Sequence, residues 1–205
     1  MAVYRIKGCQ WNCYPDTTVL IYKMDIRDQA ELDAVEKQIT LLRGIQAEQE
    51  TKFCNVDFEF YKSLHKKLFG DLYDWAGKLR NINISKKGTV FCDYKELEHI
   101  GCMKFARLKK LDFLRNMDDD EFLDELTELY HDLNMLHPFR EGNGRTLRLF
   151  VTLLVRNADR DIDFAAGDGD ILTIAAIRAA QGDISMLRGA FEEIIISGKN
   201  NAGHI

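Results

Sequence analysis

HPFREGNGRTLRLF, residues 137–150, is the stretch on which the fold turns. Three small residues, Gly142, Asn143 and Gly144, separate a His-Pro pair from a run that stays apolar from Leu147 to Val155. Proline stops a helix, and a glycine-rich turn lets the next one begin. A helix that is apolar nearly all round belongs at the centre of a bundle. The stretch therefore predicts a loop between two helices, the second being the central helix of an all-α domain.

Working outward, residues 118 to 136 carry Phe122, Leu126, Leu129, Leu133 and Leu136 on one stripe, with acids crowding the first turn,. Asp28 can cap a helix over roughly 29 to 44, where Leu32, Val35, Ile39 and Leu42 recur and Gly44 offers a stop,. Another is expected from Asp57, with Phe58, Tyr61, Leu64, His65 and Leu68 on one face and Gly70 after it,. Helical spacing returns from Tyr94 to about Leu114, near 168 to 181, and from 183 to 196, the last two divided by Gly182. Only two prolines occur, which favours long helices,. In residues 80 to 93 the period changes. Ile82 and Ile84 alternate with Asn81, Asn83 and Ser85, and Val90 and Phe91 follow a Lys-Lys-Gly turn. This is the one convincing strand signal, a short β-hairpin.

The expected organisation is an irregular N-terminal extension (1–28, with a short strand near Thr18 to Ile21), a single domain (29–196) and a disordered tail (197–205). Five scattered cysteines, Cys9, Cys13, Cys54, Cys92 and Cys102, fit neither a CxxC pair nor a zinc site,. They read as thiols of a reducing compartment. The N-terminus lacks an apolar signal core and no run is long enough to span a bilayer, so a cytoplasmic protein is expected. A net charge of −5 with both signs interspersed gives no reason to expect membrane or nucleic-acid binding,.

The loop chemistry points to phosphate. A helix start exposes backbone N–H groups and the positive end of a dipole, and glycines admit close approach. Arg145 and Arg148 project from neighbouring positions and offer forked donors for phosphate oxygens. Glu141 beside phosphates implies a cation between them, and one carboxylate plus phosphate oxygens is a usual way to hold Mg²⁺. His137, with a reference pKa of about 6.5, suits a proton acceptor. Together these parts describe nucleotidyl or phosphoryl transfer. Each has an ordinary reading alone: a helix-end histidine, a solvated arginine pair, a surface carboxylate, a turn.

The motif HPFREGNGRTLR resembles the signature of the Fic family, His-Pro-Phe-x-(Asp/Glu)-Gly-Asn-Gly-Arg-x-x-Arg, at every fixed position from His137 to Arg148. Chance matching at a given site is on the order of one in 10¹¹. Residues 68 to 92 resemble the segment leading into the family's target-docking flap, and residues 13 to 28 resemble the N-terminal stretch of small bacterial Fic toxins. The resemblance implies a helical bundle with a hairpin flap and transfer of AMP from ATP to a Ser, Thr or Tyr hydroxyl of a protein, with self-modification as a side reaction. By motif position His137 would be the general base, Phe139 the loop's anchor and Glu141 the Mg²⁺ ligand. Gly142, Asn143 and Gly144 would cradle phosphates, while Arg145 and Arg148 would hold the β- and γ-phosphates. Ile82, Ile84, Lys87, Gly88, Thr89 and Val90 would form the flap, whose exposed strand could pair with an extended target.

Many members are restrained by a helix bearing (Ser/Thr)-x-x-x-Glu-(Gly/Asn), whose glutamate meets the second motif arginine, here Arg148. The sequence contains no intact copy. Ala30 and Ala34 have the i, i+4 spacing and lack the side chains. Inhibition by a separate small antitoxin is one expectation and an unrestrained enzyme the other; homo-oligomerisation stays open. Two further readings remain: a Fic-type transferase using another nucleotide or a phosphocholine donor, and a nucleotide-binding module without turnover. Retention of His137 argues against the last.

Overall fold

The computed structural model describes residues 5–6, 12–15, 17, 19–166 and 169–196. Cys9, Thr18 and the tail 197–205 lie outside the described residues. Seven helices run through them: α1 (Gln29–Glu50), α2 (Phe58–Phe69), α3 (Leu97–Lys110), α4 (Asp119–Leu136), α5 (Asn143–Asn157), α6 (Gly169–Ala179) and α7 (Ser185–Ile194). A short 3₁₀ turn, Asp112–Leu114, follows α3. The strands are β1 (Arg5–Ile6), β2 (Ile84–Lys86), β3 (Thr89–Val90), β4 (Asp161–Ile162) and β5 (Ile195–Ile196). The protein is an all-α bundle with small sheets at its margins.

Three helix starts follow from local chemistry. The carboxylates of Asp28, Asp57 and Asp118 accept from the N–H groups of Glu31, Phe60 and Glu121 at 2.9, 2.8 and 2.9 Å. Each satisfies a donor that the helix itself leaves unpaired. Helix α5 is the centre: every residue from Leu149 to Val155 is buried, and it packs against α1, α2 and α4. The stripe of α4 is buried throughout, as is the predicted face of α2. From the N-terminal segment, Val19, Leu20 and Tyr22 join the same core, and Leu20 bridges to Cys13.

Helix α1 departs from expectation twice. It runs through Gly44 to Glu50, because Gly44 keeps a helical backbone over Leu68 and no breaker intervenes before the extended Thr51. Its inward side is also more polar than the spacing suggests. The inward positions are Leu32, Glu36, Thr40 and Ala47, while Leu42 is 63% exposed. Of the predicted stripe, Leu32 is buried and Val35 and Ile39 pack partly buried against the core, so only Leu42 leaves it, and Glu36 and Thr40 lie buried on the same side.

The hairpin turns on Lys87 and Gly88, both at positive φ (48° and 85°), which matches the twist of its strands,. Lys86 pairs with Thr89 and Ser85 with Val90. Two corrections apply. Ile82 lies before β2, and β1 pairs along the other edge of β2 to make a sheet of order β1-β2-β3. Within the hairpin, β3 is thus the strand whose outer edge is unpaired among the described residues, and its Val90 is 71% exposed. Pairs β1 and β4–β5 escaped the sequence reading because two residues carry no period.

Candidate active site

Helix α4 ends at Leu136, and His137 caps it in the left-handed region (φ 44°, ψ 57°). The following proline disfavours a helical backbone there, and three contacts hold the conformation. Arg80 Nε donates to the His137 carbonyl at 2.8 Å. His137 Nδ1 lies 2.9 Å from the Asn134 carbonyl. The Phe91 ring stacks on the imidazole at 3.7 Å between centroids. A carbonyl only accepts, so Nδ1 carries the hydrogen and Nε2 carries the lone pair. Burial, reinforced by the Lys86 and Arg80 cations, pushes the His137 pKa down to about 3. The ring is therefore neutral at physiological pH, with its Nε2 lone pair unprotonated.

The loop is braced from within and from α2. Asn143 Oδ1 accepts from Phe139 N–H and its Nδ2 donates to the Phe139 carbonyl, both at 2.8 Å. Phe139 is fully buried, stacked on His65 at 3.9 Å. Gly77 N–H donates to His65 Nδ1 at 2.8 Å, so His65 Nε2–H donates to the Glu141 carbonyl at 3.0 Å. Burial pushes the His65 pKa down to about 3, keeping the ring neutral. Gly142 caps α5 at φ 80°, and a Cβ there would stand 2.3 Å from the Phe69 ring. No other residue fits: the backbone is left-handed and the space is filled.

On the solvent side of the loop is a cavity of about 270 Å³. It is bounded by His137, Glu141, Gly142, Gly144, Arg145 and Arg148, under Lys86, Thr89 and Phe91 of the flap segment. Helix α5 is nearly all buried, yet near its start Gly144 and Arg148 are exposed and Arg145 half-buried, facing this space. The α5 N-terminus supplies N–H groups to it. Glu141 is buried, its Oε1 accepting from Gly142 N–H at 2.9 Å. Burial raises its pKa, opposed by that hydrogen bond and by Arg145.

The structure brings together His137, Glu141, Gly142, Gly144, Arg145 and Arg148, all singled out by sequence. Asn143 departs: both arms of its amide are spent on Phe139, so its side chain braces the loop instead of facing the cavity. Among the flap residues, Thr89 and Lys87 reach the cavity. Ile84 is buried, Ile82 half-buried and Val90 turned to solvent. Sequence reasoning missed Lys86. Its signal was the alternation itself, because Lys86 shares a strand face with the inward Ile84. It also missed Arg80, buried and bonded to the carbonyls of Ile82, Cys92, Leu136 and His137. Glu36 was missed too. It bonds Arg145 at 2.6 Å and accepts from the Tyr73 hydroxyl. No local pattern marks these two.

A helical bundle whose central helix springs from a glycine cradle, beneath a hairpin flap, defines the Fic type of fold. The chain superimposes on the BepC protein of Bartonella tribocorum, solved with bound AMPPNP, with a TM-score of 0.86 at 25% identity over 93% of this chain and 98% of that one. It matches the type IV secretion system effector protein BepA with a TM-score of 0.85 at 26% identity, over 96% and 76%. It is 36% identical over 173 residues to the protein adenylyltransferase VbhT of Bartonella schoenbuchensis, covering 84% of this chain and 36% of that protein. It is 34% identical over 184 residues to a probable protein adenylyltransferase of Sinorhizobium fredii, covering 89% and 94%. The Fic/DOC family profile matches residues 55–155. The chain belongs to the Fic/DOC family.

Proposed function

We infer that the protein is a protein adenylyltransferase, moving AMP from ATP to a Ser, Thr or Tyr hydroxyl of a target protein. The observation that carries this reading is one cavity holding an unprotonated imidazole, a helix N-terminus and two arginines. The relatives named as adenylyltransferases and the AMPPNP-bound neighbour support ATP as the donor.

In this reaction the hydroxyl oxygen attacks the α-phosphorus. The bond from that phosphorus to the oxygen bridging to the β-phosphate breaks, and pyrophosphate leaves. The hydroxyl proton passes to His137 Nε2. N–H groups at the α5 start and the Arg145 and Arg148 guanidiniums bind the polyphosphate, so their charge is in place before the reaction begins. Glu141 is the residue that would hold Mg²⁺. Its Oε1 is fixed by Gly142, and a single carboxylate with phosphate oxygens meets the ion's usual needs,. When bound, the ion neutralises phosphate charge. Lys86 and Thr89 place the flap over the same cavity, and the open β3 edge offers main-chain groups to an extended target,.

Among the described residues no carboxylate pairs with Arg148. Restraint by a separate small antitoxin that supplies one is consistent with this. Cys13, Cys54, Cys92 and Cys102 are thiols, which fits a reducing, cytoplasmic setting,. No described helix is long and apolar enough to cross a membrane.

Incubating the purified protein with Mg²⁺ and each α-labelled nucleoside triphosphate tests the reading, with self-modification as readout. Label entering from ATP, and not when His137→Ala is used, is the expected result. Label from another nucleotide would select the alternative donor; ATP binding with no label on the chain or on added lysate protein would leave a binding module.

A further inference from the structure

Arg145 is held from behind. Its Nη2 donates to Glu36 Oε1 at 2.6 Å and its Nη1 to Thr40 Oγ1 at 3.2 Å. Its guanidinium lies 4.7 Å over the Phe69 ring. Glu36 is itself fixed, its other oxygen taking the Tyr73 hydroxyl. Tyr73 is buried and stacked on Trp75 at 4.5 Å. Thr40 also donates to the Glu36 carbonyl at 2.7 Å, so it is locked on α1. The guanidinium plane is thereby set, while the side chain keeps 31% of its surface exposed and borders the cavity. A guanidinium has five donors, and these contacts leave others for oxygens in the cavity.

We propose that Glu36, with Thr40 and Tyr73, is a positioning residue that presents Arg145 to the β- and γ-phosphates of the bound nucleotide. The proposal rests on the adenylyltransferase reading above. An arginine arranged before the ligand arrives loses less freedom on binding it. Glu36 does not act as a brake. A brake must leave the site to release it, and Glu36 is 4% exposed on a 22-residue helix packed on both α2 and α5. The carboxylate is also anchored by a residue of another segment, Tyr73, and not by Arg145 alone.

The full chain is titrated with ATP and with AMP, each with Mg²⁺, in wild type, Glu36→Ala, Glu36→Gln, Thr40→Val and Arg145→Ala. AMP lacks the phosphates that Arg145 would meet, so it reports the rest of the pocket. Glu36→Ala is expected to weaken ATP about tenfold and to leave AMP unchanged, as befits one charge-assisted hydrogen bond. Glu36→Gln, which keeps an acceptor, should recover most of the loss. Thr40→Val, which removes one weaker bond, should weaken ATP about threefold and decides the matter if Glu36→Ala does not fold. Equal losses for ATP and AMP, unchanged ATP binding, or tighter ATP binding in Glu36→Ala would each overturn the proposal. Arg145→Ala separates it from the reading beneath. If that variant binds ATP as wild type does, the phosphate role of Arg145 fails; if it weakens ATP and Glu36→Ala does not, only the positioning role fails.

Discussion

The Nε of Arg80 sits 2.8 Å from the carbonyl oxygen of His137 and donates to it. The same guanidinium reaches the carbonyls of Ile82 and Leu136 at 2.7 and 3.4 Å, and that of Cys92. One buried cation thus joins the end of α4, the strained His137 and both roots of the flap. Carbonyls at a helix C-terminus welcome a positive charge.

Removing that cation leaves several buried acceptors without donors. Arg80→Ala should therefore cost about 3 kcal/mol or more, since each buried unsatisfied group costs about 1–3 kcal/mol. Urea unfolding measures it. A variant as stable as wild type would mean that water replaces the guanidinium.

In the proposed reaction His137→Ala removes the proton acceptor and leaves the phosphate cradle. AMP transfer should fall by about 10²–10⁴-fold. ATP affinity, read by titration, should stay within about threefold of wild type, because the proposed reading assigns the phosphate contacts to the α5 start and the arginines. Transfer at the wild-type rate would exclude His137 as the base.

Two buried histidines, His65 and His137, are held near pKa 3, against about 6.5 when unfolded,. Between those values the unfolded chain binds protons that the folded one refuses. Their contribution is complete above pH 6.5 and shrinks as pH falls toward 3. At pH 5 the loss is at most about 2 kcal/mol for each ring. Glu141, raised by burial, acts in the opposite sense, its contribution fading as pH rises through its folded pKa. Urea unfolding at pH 7.5 and 5.0 should show wild type weakening more steeply than His65→Gln. Equal slopes would mean that His65 protonates in the folded protein.

The two glycines of the cradle should part company. Gly142→Ala meets both a positive φ and the Phe69 ring, and should destabilise by about 2–4 kcal/mol,. A Cβ on Gly144 meets nothing within 4 Å, so Gly144→Ala should fold at least as well as wild type,. Its methyl enters the space beside the N–H groups, and the KM for ATP should rise about tenfold. Thermal melts and kinetics on the same two preparations compare them. A Gly144→Ala enzyme with wild-type KM would move the phosphates elsewhere.

By itself the sequence determined what depends on neighbours along the chain. Asp28, Asp57 and Asp118 cap helices because a carboxylate reaches an N–H three residues ahead. Pro138 and the glycines place the loop, and the unbroken apolar run puts α5 at the centre. The residues facing the cavity from that loop were therefore legible. Tertiary structure alone decided which long-range partners hold them. Glu36 is 109 residues from Arg145, His65 is 76 from Glu141 and Arg80 is 57 from His137. A buried polar side chain is stable only once its partner arrives, and no local period records that arrival. The same holds for the turn of α1 that carries Glu36 and Thr40 inward. Its apolar spacing marked the inward side through Leu32, Val35 and Ile39, but only the packed fold supplies Arg145 and Tyr73 as partners for the Glu36 carboxylate.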